Sequence, residues 1–515
     1  MELRLQNIRS LADTGFLEIR PITILVGQNS SGKSTFARTF PLLKQTAMAT
    51  SSAPILWMGA LVDFGDIGSV KRKSKGVRDV SLSLRISNNE IAHASRRARG
   101  TRLNFLYENT PEFTLTTTME EVASKTRIKR YSVEFSGHKI DFMRRRRSQK
   151  YDIIVDDNRF CVDKAETGVR LTSPPKGLLA FPIPAFAEEL DFMFRSPLVV
   201  ARILETQRRY SEFDDNLIKK VAEIYDVKAF GQIYKGFSRP MGRQHIGKGV
   251  NFWEDVNENA LKHGASEKKL VQVIFEIETL LIMAHLYELT ALISNAISRL
   301  LDGVSYILPH RAQAERYYRF QELMVEGISP DGSNLAMFLN SLSTDQKNGF
   351  SKFCSDVLGF EISSSKKSGH ASILAKRSGT NQATNIADMG FGFSQVLPIL
   401  AQLWICQGRF GPSTIVMEQP ELHLHPGLQA KLADAFATTV KPNSSSLSPI
   451  RILAETHSKE VINRLGELIE DKKLSKDDVA IYVFENAESE NISHVEKASF
   501  SDNGDLLNWP LGFLG

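Results

Sequence analysis

The chain has 515 residues, 24% of them charged and 42% hydrophobic, which is long enough for a large core and more than one domain. Its three cysteines, Cys161, Cys354 and Cys406, have no ligand-like spacing; a disulfide scaffold and a cysteine-held zinc are therefore not expected, and a reducing cytoplasm fits. The net charge of +5 hides an asymmetry: residues 71–150 carry 20 Lys/Arg against 8 Asp/Glu, so the remaining chain is net acidic.

Met1 to Leu5 alternates and carries an acid, so it reads as a strand and not as a signal peptide. Two strands are expected before residue 21, over Glu2 to Leu5 and Gly15 to Ile19. Pro21 to Val26 is an apolar, β-branched run, the pattern of a buried strand. It feeds Gly27-Gln28-Asn29-Ser30-Ser31-Gly32-Lys33-Ser34, a complete G-x-x-x-x-G-K-[ST] loop. From Thr35 onward, Phe36, Ala37, Phe40, Leu42 and Leu43 predict a helix. A strand, a glycine turn and a helix N-terminus in this order aim backbone N–H groups at one point, and that point binds phosphate. Gly27, Asn29, Ser30, Ser31, Gly32, Lys33, Ser34 and Thr35 are thus the candidate nucleotide-binding residues. Lys33 is expected between the β- and γ-phosphates of ATP, and Ser34 on Mg²⁺.

Beyond residue 70 the period changes to two. Val80 to Ile86, Tyr131 to Phe135 and Tyr151 to Val155 predict antiparallel strands joined by basic loops that include Arg144 to Arg147. This segment, 71–150, is the candidate surface for a polyanion, whether DNA, RNA or an acidic protein; a solvated face is the alternative. Residues 172–190 hold several prolines and read as an irregular connection. A mostly helical stretch follows to about 302, and its last helix is expected over Ser266 to Leu301, with a broad apolar face. Its most apolar part, Val271 to Leu289, is interrupted by Glu276, Glu278, His285 and Glu288. It therefore reads as a buried helix and not as a membrane span, and no membrane partner is expected.

A strand running into a loop is expected at Tyr306 to Arg311. Asp388 to Gln395 contains Gly390, Gly392 and Ser394 in a glycine-rich turn that opens a helix. Thr414 to Glu421 is an apolar strand ending in Glu418-Gln419-Pro420-Glu421, and a carboxylate at such a strand end can hold a Mg²⁺ shell. His423 and His425 form an H-x-H pair with no third ligand at suitable spacing. Arg451 to Ser458 is another apolar strand, ending in Glu455-Thr456-His457-Ser458.

Taken in order, these motifs resemble the ABC-type AAA ATPases of the RecF/OLD-like, SMC-related group, including standalone ATPase subunits of bacterial anti-phage defence systems. The resemblance covers 1–70 and 306–515 and also rests on Tyr306 to Tyr318 and on Asn508 to Phe513. It implies an α/β fold: a two-lobed ATPase head with a mixed sheet, carrying a basic antiparallel β-subdomain and a helical insertion. The expected divisions are 1–70 (first part of the head, with the Walker A loop), 71–170 (basic β-subdomain), 171–305 (helical insertion) and 306–515 (second part, with signature, Walker B and switch His). It implies ATP and Mg²⁺ as ligands, Ser34 and Glu418 on the metal, and Glu418, Gln419, Glu421 and His457 as catalytic candidates. Gly390, Gly392 and Ser394 would complete the site of a second copy, so a homodimer or higher oligomer through the heads is expected.

One departure stands out. The common pattern has an Asp and then a catalytic Glu where this chain has Glu418 and Gln419. A Gln orients water without accepting its proton, so either Gln419 or Glu421 positions the attacking water, and hydrolysis is expected to be slow. The functional expectation is an ATP-driven switch in the cytoplasm that controls a separate effector, a nuclease or toxin. The alternative is a RecF/SMC-like ATPase of DNA repair or chromosome maintenance. The 58 residues after His457 are too few for the Toprim nuclease of OLD enzymes, so no nuclease is expected on this chain.

Overall fold

The computed structural model describes residues 1–49, 53–74, 76–87, 112–135, 137–144, 150–156, 158–160, 169–170, 286–319, 325, 327–367, 369–441, 449–487 and 492–509. The chain starts with β1 (Glu2–Ile8), β2 (Leu11–Asp13), β3 (Leu17–Glu18) and β4 (Ile22–Gly27), followed by α1 (Lys33–Met48) and the short α2 (Ile67–Val70). An antiparallel run follows: β5 (Asp79–Ser87), β6 (Glu112–Val122), β7 (Lys125–Phe135), β8 (His138–Arg144), β9 (Lys150–Val155), β10 (Asn158–Phe160) and β11 (Val169–Arg170). Next come α3 (Leu286–Asp302), β12 (Val304–Ile307) and β13 (Tyr318–Arg319). The second lobe adds α4 (Leu335–Ser341), α5 (Thr344–Leu358), β14 (Phe360–Lys367), β15 (His370–Arg377), β16 (Ala383–Asn385) and α6 (Phe391–Gly408). The chain continues through β17 (Ser413–Glu418), α7 (Pro426–Val440), β18 (Ile450–Glu455), α8 (Lys459–Glu470), β19 (Val479–Ala487), β20 (Ile492–Phe500) and β21 (Leu506–Leu507).

The centre of the molecule is a parallel block in the order β12-β17-β18-β4-β19. Such strands are covered on both faces and read as continuous apolar runs. Their side chains still alternate, and the alternation divides two cores. Ile22, Ile24 and Val26 of β4, Ile415 and Met417 of β17, and Ile452 and Ala454 of β18 face one core, which α6, α7 and α8 cover. Leu25, Val416, Leu453, Tyr482 and Phe484 face the other, which holds Phe36, Ala37 and Phe40 of α1 and Leu289, Ile293 and Ile297 of α3. Helices therefore lie on both faces of the sheet, and the fold is mixed α/β with a large mixed sheet, as expected.

Further strands extend this sheet, antiparallel except for the parallel contact of β2 with β20. β19 pairs with β20, β20 touches β2, and β1 carries β2, β3 and β5. The alternating strands at 80–86, 131–135 and 151–155 lie in β5, β7 and β9. They continue the head's own sheet, because β5 runs along β1 with Leu3 opposite Leu84 and Leu5 opposite Leu82. The division drawn at residue 70 thus falls between strands that share hydrogen bonds. The second lobe carries a separate antiparallel sheet of β13, β14, β15 and β16.

Two local readings differ in extent. The strand expected over Gly15 to Ile19 shortens to Leu17–Glu18, and β2 takes up Leu11–Asp13 beside β1. In the long C-terminal helix of the insertion, Leu286–Asp302 is helical and buries Leu289, Ile293, Ala296 and Ile297. Residues 266–285, most of the insertion at 171–305, and 145–149 of the basic loops lie outside the described residues, as do 510–515.

Candidate functional site

The loop after β4 is held at the middle of the sheet because β4 lies between β18 and β19. Gly27 is required there: a Cβ at this position would lie 2.0 Å from the Phe484 carbonyl oxygen of β19. Gly32 ends the loop with φ +97°, the left-handed region that favours glycine, and caps α1. Gln28, Asn29 and Ser30 are exposed, while Ser31, Lys33 and Thr35 are buried. Ser31 donates its hydroxyl to the Gln28 carbonyl (2.8 Å) and braces the turn. Lys33 Nζ folds back over the loop, donating to the Gly27 (3.0 Å) and Gln28 (2.7 Å) carbonyls. Burial pulls the Lys33 ammonium below its ordinary value, against the opposing charge of Glu455.

Two carboxylates stand side by side next to this loop. Glu418 ends β17, Glu455 ends β18, and the two are register partners. Both are nearly buried, at 3% and 5% exposure. Ser34 and Arg38 are four residues apart on α1 and so project from one face. Each reaches a different acid. Ser34 donates its hydroxyl to Glu455 Oε2 at 2.6 Å, and Lys33 Nζ lies 3.8 Å from Glu455 Oε1. Arg38 grips Glu418 with two parallel bonds, Nε to Oε1 and Nη2 to Oε2, each 2.6 Å. The Tyr306 hydroxyl, from β12, also donates to Glu418 Oε1. The sequence motifs put Ser34 and Glu418 on one Mg²⁺; in the structure the Ser34 hydroxyl bonds Glu455, and Glu418 bonds Arg38 and Tyr306. The reason is strand order, since β18 is the immediate neighbour of β4 and β17 is one strand further away.

The charges respond to this packing. Burial pushes the Glu455 carboxyl above the usual carboxylate range, against the pull of the Ser34 bond and Lys33. The Glu418 bond raises Arg38. Burial, then Glu418, raises the Tyr306 hydroxyl.

Beyond the strand ends, Gln419 is half-buried and adopts φ +42°, a costly conformation for a residue with a Cβ. Its N–H is tied to the Glu455 carbonyl at 2.8 Å. Glu421 is turned the other way: its Oε1 accepts the His457 N–H at 2.8 Å. Burial pushes its carboxyl up, against the pull of that bond, Thr456 and Arg311. The exposed His457 ring is held below its ordinary value by partial burial and then by Lys33. Gln419 is thus tied to Glu455 and Glu421 to His457, two separate links between the ends of β17 and β18.

Gly390 caps α6 with φ +85°, and a Cβ there would meet nothing within 4 Å. Gly392 sits over the His423 carbonyl, Leu424 and Leu428, and the Phe391 ring meets the His423 ring edge-on at 5.0 Å. The glycine turn is therefore packed on the loop after β17 of the same chain. The Ser394 side chain is buried and donates to the Phe391 carbonyl at 2.6 Å within its own turn. Behind it, Gln395 donates to the Arg311 carbonyl (3.2 Å). The Arg311 guanidinium donates to the Leu308 (3.1 Å), Pro420 (3.2 Å) and Leu422 (3.5 Å) carbonyls. Burial pulls Arg311 down to about 10. His425 caps α7 by accepting the Gly427 N–H (3.3 Å), and among the described residues no cluster of three His, Cys, Asp or Glu side chains forms a metal site.

The oxygen set at the loop suits Mg²⁺, a hard cation that combines one or two carboxylates with phosphate oxygens. The Ser34 hydroxyl and the Glu455 carboxylate are adjacent, and Glu418 is one strand away. Arg38, Glu455 and Tyr306 join the site without being among the residues its sequence motifs assign. Arg38 had a usable signal, its spacing of four from Ser34 on a predicted helix.

In the basic segment, several of the described cations pair with acids: Lys71 with Glu121 (2.7 Å), Arg85 with Glu2 (2.7 Å), Arg127 with Glu120 (2.5 Å), Lys129 with Asp79 (2.5 Å) and Lys139 with Glu134 (2.8 Å). No helix among the described residues is long and apolar enough to cross a membrane.

Comparison with known proteins adds a family. No curated protein matches the sequence. Among solved structures, an Smc head domain of Pyrococcus furiosus with an extended coiled coil, bound to the C-terminal domain of ScpA, is similar with 13% identity and TM-score 0.35, over 97% of this chain and 96% of that one. An SmcHead bound to the C-winged helix domain of ScpA gives 11% identity and TM-score 0.37, over 97% of each chain. The SMC head domain from Thermotoga maritima gives 8% and 0.34, over 96% and 97%. At these scores the likeness adds nothing to the fold described above. The sequence family of the AAA ATPase domain matches residues 184–462, more than half of the chain, including the glycine turn, both strand-end acids and His457. The chain therefore belongs to the AAA ATPase domain family and is an ATPase of that type.

Proposed function

We propose that this protein binds ATP with Mg²⁺ at the loop after β4 and hydrolyses it slowly, using the nucleotide as a switch for a separate effector. The observation that carries the reading is the convergence at one sheet end of the phosphate loop, the two strand-end carboxylates and His457. The backbone N–H groups of residues 27–35 and the N-terminus of α1 bind the phosphates. Lys33 leaves the Gly27 and Gln28 carbonyls to meet the β- and γ-phosphates. Ser34 and a strand-end carboxylate hold Mg²⁺, which would neutralise charge on the phosphoryl oxygens. Gln419 orients the attacking water, and His457 faces the γ-phosphate. Residues 1–70 and 306–515 act as the two halves of the head.

Gly390 and Gly392 lie in the turn that a second copy's nucleotide would meet, so ATP joins two heads into a homodimer. Hydrolysis then changes the affinity between heads, and the insertion at 171–305 transmits the change to an effector held in trans. The resemblance to standalone ATPase subunits of anti-phage systems supports a defence role and a cytoplasmic location. The alternative, a DNA-maintenance ATPase, rests on the basic excess of 71–150. Of the acids paired with those cations only Glu2 comes from outside the segment, so that excess stands.

Lys33→Ala tests the core of the reading. It should abolish ATP binding or turnover in an assay of phosphate release, because the cradle loses its only side-chain cation. Turnover at the rate of the unaltered protein would remove the assignment.

A further inference from the structure

We propose that Glu455, and not Glu418, is the carboxylate of this chain that meets the metal–nucleotide beside Ser34, and that Arg38 and Tyr306 withhold Glu418 from it. The inference rests on the ATP-binding reading above. It starts from sheet order. The strand next to the phosphate-loop strand is β18, and the Glu455 side chain at its end is 2.6 Å from the Ser34 hydroxyl and 3.8 Å from the Lys33 ammonium. These are the two side chains that the loop motif assigns to the metal and the phosphates. Glu418 lies one strand further out. Both of its oxygens are committed to the Arg38 fork at 2.6 Å each, and Oε1 also accepts from the buried Tyr306. A bidentate guanidinium–carboxylate pair is among the stronger hydrogen-bonded arrangements. Freeing Glu418 for a cation would leave the Arg38 charge without its partner beside that cation.

Among the described residues no guanidinium forks Glu455, which pairs with Lys33 Nζ only at 3.8 Å. Its hydrogen-bond partner is the serine hydroxyl, and Lys33 is bonded to the loop carbonyls instead. A cation entering beside Ser34 would therefore find one carboxylate ready to face it. Glu418 becomes a positioning residue: it anchors Arg38 and, through Arg38, the first turns of α1 that carry Lys33 and Ser34.

Titration with a fluorescent ADP analogue, with Mg²⁺ and with EDTA, separates the two acids. The readout is the factor by which Mg²⁺ tightens binding in the unaltered protein, in Glu455→Gln and in Glu418→Gln, with a melting curve for each. The factor should collapse in Glu455→Gln, by roughly 10-fold or more beyond any loss in Glu418→Gln, the scale at which ligand-shell changes weaken metal sites. If Glu455→Gln fails to fold, Glu455→Asp keeps the charge and withdraws it by one methylene, and it should still lose more of the factor than Glu418→Asp. An equal collapse in both acids, or a larger one at Glu418, would overturn the assignment. Absence of nucleotide binding by the unaltered protein would overturn the ATP reading itself, and this assignment with it.

Discussion

At the scale of single residues, the departure at Gln419 is the sharpest chemical question. The backbone there is left-handed and pinned to Glu455, so the side chain is set at the strand end at a conformational cost. Glu421 is the rival base, but its Oε1 is spent on the His457 N–H and its carboxyl is buried. A raised folded-state pKa means that this burial costs no stability below the ordinary carboxylate range. The cost develops as pH rises through the folded-state value. On the proposed reading Glu421 braces the loop through Oε1 and Gln419 orients the attacking water. Gln419→Ala should lower kcat by roughly 10- to 1000-fold, the scale of one transition-state hydrogen bond, with little change in nucleotide affinity. Steady-state turnover beside a binding titration checks this. Loss of turnover in Glu421→Gln with Gln419→Ala still active would transfer the role to Glu421.

At the scale of elements, Arg311 joins three pieces of the second half. It follows β12, its own carbonyl holds Gln395 at the start of α6, and its guanidinium holds the Pro420 and Leu422 carbonyls after β17. The glycine turn and the acidic loop are therefore fixed to each other through one buried cation. Arg311→Met should lower stability by about 3 kcal/mol or more, because it leaves Glu421 without its opposing charge and strips donors from buried carbonyls. Urea unfolding measures this. A loss well under 1 kcal/mol, the usual range of an exposed substitution, would show that water replaces the guanidinium there.

At the scale of the whole molecule, the described residues hold one nucleotide-type constellation and no metal cluster outside it. The purified chain should form a dimer or larger oligomer in the presence of ATP, should not cut DNA or RNA alone, and should show destructive activity only with a partner chain and only with Lys33 intact. Light scattering at saturating ATP, with parallel nuclease assays, gives the outcome. A strict monomer would remove the shared-site mechanism. Nuclease activity that travels with the single chain through size exclusion and survives Lys33→Ala would remove the division of labour.

What the sequence determined by itself was contiguous along the chain. Residues 21–35 carry their own instructions: an apolar strand, a glycine turn and a helix start. The apolar runs at β17 and β18 mark central strands because burial on both faces leaves no room for polar residues. The strands at 80–86, 131–135 and 151–155 were likewise legible from a period of two. Only the tertiary structure decided which acid Ser34 meets. Placing β18 between β4 and β17 sets Glu455 beside the loop and leaves Glu418 to Arg38, 380 positions away in the chain. It also decided that β5 to β9 extend the head's own sheet, since the pairing of β5 with β1 joins residues about eighty positions apart. Side-chain chemistry shows what a carboxylate can bind; strand order, set by packing between distant segments, selects which one is within 3 Å of the hydroxyl.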